Sequence, residues 1–422
     1  MSKPRVIYAD RTQMRMESLA LDDLVAPDHV VREVWALVLR MDLTALYDAI
    51  GSREGDAGAP CFDPRTLLCL WIYATVDGIG SGRRLARLTE EHAAYRWITG
   101  GDAINHHTLS TFRSCNEALL DRLLSASLAV LAESGLVDMN AMTVAHDGVR
   151  VRASAGCDSL RSRARLEELL ETAKARVEQL KTQGDEELSP RREAARERAA
   201  TERVERLGEA LVAIDEIVAR RVRPDRKDRE VRASTTDPGA TMMRMANGGM
   251  DLAYNIQYTT EVRTRAITSV RVVAVGSDTG TLAPAMRDHA RRCGQLPSRV
   301  LADAGFFKYT DIAELESGGC EVLMPDTFSS AVRTQRHYGK EAAPLIERWR
   351  ARMQSGEGKE RFKLRASTAE WTNACVRNRG LRLLTVRGPA KVRTIALWHA
   401  VTHNICRIIA LLRRQPAESI AW

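Results

Sequence analysis

At 422 residues the chain exceeds what one compact core usually holds, so two structural units plus an insertion are expected. Hydrophobic residues at 44% and charged residues at 28% give the balance of a globular protein and exclude a disordered or membrane-embedded one. The 63 Lys and Arg against 55 Asp and Glu leave a net charge of +8, which favours a polyanionic partner through phosphate contacts without separating DNA from RNA or an acidic membrane.

The N-terminal segment MSKPRVIYAD lacks the apolar core of a signal peptide, and no apolar run approaches the roughly 20 residues needed to cross a bilayer. A cytoplasmic protein without a membrane partner is expected. From Leu19 to about Leu136, apolar residues recur at three and four positions through LDDLVAPDHVVREVWALV, PRTLLCLWIYATVDG, SGRRLARLTEEHAAYRWITG and NHHTLSTFRSCNEALLDRLLSASLAVLAESG. The breaks carry helix-start and helix-stop residues such as Asp63-Pro64, Gly78, Gly82, Gly100 and Gly101. Residues 1–136 thus read as an all-helical unit. Its short helices around Arg83 to Leu88 and Thr108 to Phe112 suit a helix-turn-helix in which Arg83, Arg84, Arg87 and Arg113 face DNA phosphates. Solvated arginines outside a small bundle explain the same letters.

After Gly135 the pattern changes to AMTVAHDGVRVRASAG, an alternating strand with Asp147 in its middle. Strand interiors disfavour aspartate, and an unpaired buried charge is costly. From about Ser159 to Arg223 the chain is rich in Glu, Arg and Ala with two narrow apolar seams, broken at Gly184-Asp185 and Ser189-Pro190; it reads as an antiparallel helical hairpin inserted at about 158–230. Strands resume at Tyr254–Val262, Ala266–Val275, Ser298–Phe306 and Cys320–Pro325, with helices at Leu282–Arg292 and Thr310–Glu316 between them. The expected fold class is mixed α+β: an all-α N-terminal unit at 1–136, then a unit at 137–422 with a mixed sheet, helices on its faces and the hairpin insertion. From about Gly358 the pattern is helical again, ending in VRTIALWHAVTHNICRIIALLRR, whose broad apolar face should pack on the sheet. The eight cysteines include no C-x-x-C pair, which argues for reduced thiols and against structural zinc.

Two acids stand out. Asp147 in VAHDGVRV and Asp303 in VLADAGF each end or interrupt an apolar strand, and each is followed closely by a glycine, Gly148 and Gly305, which permits a tight turn and close approach to the backbone. Plain strand-end turn formers give the same letters. Two such carboxylates brought together repel unless a divalent cation neutralises them, which implies Mg2+ or Mn2+. Two ions in one carboxylate site suit phosphodiester chemistry. A third ligand is expected from a later helix. Glu370 is chosen because Arg365 and Arg377 flank it, so one helix presents a carboxylate to metal and guanidinium groups to a phosphate backbone. Glu321, Asp326 and Glu360 are the rivals. His146, next to Asp147, should point to the opposite face of its strand and serve packing or hydrogen bonding.

Taken in order, these segments resemble the DDE transposases of bacterial insertion sequences, which have a helical N-terminal domain and an RNase H-like catalytic domain. The resemblance spans nearly the whole chain: LDDLVAPDHVVREV, FDPRTLLCLWIYATVDGIGSGRRLARL, HHTLSTFR, AHDGVRVRASAG, STTDPGATMMRMANGGMDLAYNIQ, LADAGFF and RGLRLLTVRGPAKVRTIALWHAVTHNICRII. It implies that Asp147, Asp303 and Glu370 are the catalytic metal-binding triad, and that Arg365 and Arg377 contact DNA. The family's Tyr, Arg, Glu, Lys signature reads here Phe362, Arg365, Glu370, Arg377, so the contacts of its first and last positions differ. Tyr254 and Asn255 fall on a family segment near the site, or form an ordinary strand start, while His403 and Asn404 fall on one that packs the core. The resemblance implies binding of the element's inverted-repeat ends, metal-dependent cleavage, strand transfer to target DNA and a homo-oligomer on DNA. The alternatives are an RNase H-like nuclease without strand transfer and a decayed transposase that only binds DNA.

Overall fold

The computed structural model describes residues 18–52, 60–182, 189–220, 230–326 and 339–414, with Thr12 and Met14. The expected breaks at Gly184-Asp185 and the segment 1–10 lie outside these residues.

After a 3-10 turn at Leu21–Leu24, the described N-terminal residues form seven α-helices: α1 (Val30–Leu39), α2 (Thr44–Asp48), α3 (Pro64–Val76), α4 (Gly82–Glu91), α5 (Ala93–Thr99), α6 (His106–Cys115) and α7 (Glu117–Glu133). Their boundaries follow local chemistry. Asp63 caps α3 by accepting from the Arg65 amide, with Pro64 in the first turn, and Ser81 and Asn105 cap α4 and α6 in the same way. From Leu67 to Thr75 every residue of α3 is buried, so it is a core helix rather than an amphipathic one.

The main sheet has the order β4 (Thr241–Arg244), β5 (Met250–Glu261), β1 (Thr143–Arg152), β7 (Arg299–Ala302), β8 (Glu321–Leu323), with β6 (Ile267–Val273) paired to β5. β5 runs antiparallel to β1, β4 and β6, whereas β7 is parallel to β1 and β8 parallel to β7. The edge strand β4 lies in a segment that the alternation pattern does not mark. β7 is shorter than the expected strand, because Asp303 accepts a bond from the Gly305 amide and turns Ala304–Phe306 into a tight helical turn. Between β1 and β4 the chain forms a two-stranded sheet, β2 (Leu160–Ser162) and β3 (Arg232–Ser234), from which α8 (Arg163–Thr182) and α9 (Pro190–Ala219) project as the expected hairpin. Its seam is narrow, with Leu166, Ala173, Leu207, Ala210 and Ile214 buried.

Helices α10 (Leu282–Cys293) and α11 (Tyr309–Ser317) follow β6 and β7 as expected. A further helix, α12 (Gly339–Gln354), precedes α13 (Gly356–Arg365), a π-helical turn at Ala366–Glu370, and α14 (Trp371–Asn378). The last described element, α15 (Pro389–Leu412), lies between the N-terminal helices and the sheet. Trp398 donates its indole N–H to the Arg113 carbonyl in α6, the Tyr258 hydroxyl donates to the Ala396 carbonyl, and Asn404 bonds both the N–H and the C=O of Ile267 in β6. By length and composition α15 could cross a membrane, yet 67% of its most apolar stretch is buried inside the protein. One apolar core therefore includes Val31, Leu68 and Trp71 from the N-terminal helices, Val149 and Val151 from β1, Ile256 from β5 and Trp398 from α15.

Candidate active site

The parallel register of β1 and β7 pairs Val144 with Val300, Ala145 with Leu301 and His146 with Ala302. The next step brings Asp303 alongside Asp147. There β7 ends, and among the described residues no strand pairs the β7 side of β1 until Arg152 meets Leu383. The two acids therefore stand at the head of a gap in the sheet. Asp147 Oδ1 accepts from the Gly148 amide at 2.8 Å and Oδ2 from the Asn373 amide group at 3.1 Å. Asp303 Oδ1 accepts from the Gly305 amide at 2.8 Å.

Glu370 comes to the same place through Arg365. The Arg365 guanidinium lies 3.1 Å from Glu370 Oε1 and 3.9 Å from Asp147 Oδ2, with its face toward the Phe362 ring at 5.9 Å. Arg365 is largely buried and Glu370 is exposed, so the pair runs from the gap to the surface. The sequence reading assigns Arg365 to phosphate; here its charge is turned inward between two carboxylates. Burial pushes the Asp147 carboxyl up to about 6, reinforced by repulsion from Asp303 and Asp278 and opposed by the Gly148 N–H and by Arg365.

Asp278 is an acid the sequence reading passes over. It lies in the Gly-Ser-Asp-Thr-Gly loop between β6 and α10, whose letters read as a turn. Its Oδ1 accepts from Asn255 at 2.5 Å and from Gln257 at 3.1 Å, and Arg150 lies 3.7 Å from Oδ2. The two glycines make room for it. A Cβ at Gly148 would overlap Asn255 Oδ1 and stand 3.3 Å from Asp278 Oδ1, and one at Gly305 would stand 2.9 Å from Asp303 Oδ1 and 3.9 Å from Asp278 Oδ2.

The rival acids are held elsewhere. Glu321 pairs with Arg299, Asp326 with Arg350 and Glu360 with Lys363. His146 turns away from Asp147 as expected: it is buried, its Nδ1 bonds Thr259 at 3.0 Å, its ring meets Phe306 edge-on, and burial pushes it down to about 4. Tyr254 lies in the core, donating to the buried Asp237, whereas Asn255 reaches the site through Asp278. His403 and Asn404 are buried in the core, as read. Arg83, Arg84 and Arg87 are exposed on α4, Arg377 is exposed on α14, and none forms an ion pair with a described residue. Gly82 brings α4 close to α6, since a Cβ there would overlap Ser110, and α5 intervenes between them in the chain.

Arg113 does not face phosphates. It is buried, donates to the Gly80 carbonyl and lies over the Trp71 ring at 4.7 Å. Its place on the inner face of α6 makes it a clamp between helices.

Among the described residues, no three His, Cys, Asp or Glu side chains already stand in one ion's coordination sphere. The donor set nonetheless suits a hard cation: carboxylates facing one gap, with a guanidinium as the positive charge between Asp147 and Glu370. Neither a curated protein nor a solved structure matches the chain. Residues 19–115, covering α1 to α6, match the family model of a transposase domain (DUF772), and that match supports a transposase.

Proposed function

We propose that the protein is a DNA transposase of the acidic-triad, RNase H-like type. It binds the inverted-repeat ends of its own element, cuts a phosphodiester at each end and joins the freed 3′-hydroxyl to target DNA. The observation that carries this reading is the juxtaposition of Asp147 and Asp303 across adjacent parallel strands, with Arg365 and Glu370 closing the same gap. The raised Asp147 carboxyl supports it, because a site that resists holding its negative charge unaided favours a cation. The order of β1, β5, β6, α10, β7, α11 and β8 supports the RNase H-like assignment.

Asp147, Asp303 and Glu370 would hold Mg2+ or Mn2+, two ions together, which supply an activated oxygen nucleophile and stabilise the leaving oxygen. Asn373 and the Gly148 amide orient the Asp147 carboxylate, and the Gly305 amide orients Asp303. Arg83, Arg84, Arg87 and Arg377 are the exposed guanidinium groups offered to phosphates, with residues 1–136 as the DNA-binding unit and 137–422 as the catalytic one. Bringing two element ends together requires at least two subunits, so a homo-oligomer on DNA in the cytoplasm follows.

The test uses the full chain, Mg2+ and duplexes carrying the inverted repeats that flank its gene. Wild type is expected to cut at the repeat ends and to join pre-cut ends to target DNA, while Asp147→Asn and Asp303→Asn bind the repeats without cutting. Wild-type cutting by Asp147→Asn would overturn the mechanism. Cutting without joining would make the protein a nuclease instead.

A further inference from the structure

We infer that Asp278 is a further carboxylate of the Asp147–Asp303 gap and takes part in holding the divalent cation, with Asn255 and Gln257 as the residues that position it. The inference rests on the functional reading above and adds a residue to its site.

Asp278 is reached from a loop far from both acids in sequence, yet it approaches the backbone beside each of them. Its Oδ1 is 3.3 Å from where a side chain at Gly148 would begin, and its Oδ2 is 3.9 Å from the equivalent point at Gly305. The glycines Gly148, next after Asp147, and Gly305, two after Asp303, thus lack side chains on the sides that Asp278 occupies. Any larger residue at Gly148 would meet Asn255 and Asp278 together.

The support beneath Asp278 is unusual for a plain turn residue. Asn255 and Gln257 are buried amides in the middle of β5, and each spends its N–H on Asp278 Oδ1. The Asn255 carbonyl oxygen is buried without a hydrogen-bond partner and points into the space above Gly148, whereas the Gln257 side chain also bonds His146. Unpartnered buried oxygens are costly in a strand interior, where apolar side chains would serve stability better. The Asn255 oxygen and the Asp278 carboxylate, set beside Gly148 across from Asp303, add to a donor set for a hard cation. Arg150, 3.7 Å from Asp278 Oδ2, is the positive group that faces Asp278, as Arg365 faces Asp147 and Glu370.

The experiment measures Mn2+ binding to the full-length protein by electron paramagnetic resonance in the absence of DNA, alongside melting curves. Wild type is expected to bind Mn2+, Asp147→Asn to lose that binding, and Asp278→Asn to weaken it about tenfold or more. Asp278→Glu, which keeps the charge but displaces the carboxylate, should lie between Asp278→Asn and wild type, and it decides the matter if Asp278→Asn melts early. Wild-type affinity in Asp278→Glu or in a well-folded Asp278→Asn, with binding lost in Asp147→Asn, would overturn the role of Asp278 and leave the functional reading standing. Wild-type affinity in Asp147→Asn would remove the metal site itself and this inference with it.

Discussion

The carboxyl of Asp147 holds its proton up to about pH 6 in the folded protein, against an ordinary value of 3.8, chiefly because it is buried. Between pH 4 and 6 the folded state therefore binds a proton that the unfolded state has released. Stability contributed by this group is present below that window, falls as pH rises through it and stays lost above it. At ~1.4 kcal/mol for each pH unit crossed, the loss at pH 8 is about 3 kcal/mol. Replacing the carboxylate by its neutral isostere should return part of this. We expect Asp147→Asn, without divalent cation, to gain roughly 1–3 kcal/mol at pH 8 and nothing at pH 4 in urea unfolding, while losing DNA cleavage. A destabilised Asn variant at pH 8 would mean that the charge is already well compensated by Arg365 and Asn373.

Arg365 and Glu370 are five residues apart, a spacing that a regular α-helix places about 140° apart around its axis. The π-helical turn at Ala366–Glu370 changes that: a turn of about five residues returns the chain to the same face, and the two side chains meet at 3.1 Å. Deleting Ser367 should restore α-helical winding there, with far-ultraviolet circular dichroism unchanged and cleavage lost at least 100-fold; full cleavage by this variant would show that the pairing is dispensable. The same element shows what could be read from the letters. The acids Asp147 and Asp303 were legible because an aspartate inside an apolar strand is locally anomalous, and the helices because their caps and apolar spacing are local too. The inserted residue in the turn leaves no compositional mark, since Ala-Ser-Thr-Ala-Glu fits an α-helix. Asp278 was illegible for a related reason: the glycines announce that something approaches the backbone, but only tertiary folding says what. Arg113 looked like its exposed neighbours on α4, and burial over Trp71 is a property of the packed helices.

Among the described residues, four histidines are buried and kept neutral: His146 and His289 are pushed down to about 4, and His399 and His403 to about 3, in each case mainly by burial. Their unfolded counterparts take up protons below about 6.5, so the unfolded state binds more protons and stability falls as pH drops from 6.5 toward 4. Each histidine contributes about 1.4 kcal/mol per pH unit, and the four together outweigh the opposing gain from the buried carboxyls of Asp147 and Asp237. The melting temperature should fall steeply between pH 7 and pH 5, and a flat profile would show that these rings reach solvent. His399 and His403 sit on α15, the same helix that Trp398, Tyr258 and Asn404 tie to both halves of the fold. That position also sets an order of events in time. The N-terminal helices leave the ribosome long before the segment that fills their cavity exists, so Trp71 and Leu68 stay without their final neighbours through most of synthesis, and the slow, long-range docking of α15 becomes the step on which both halves wait.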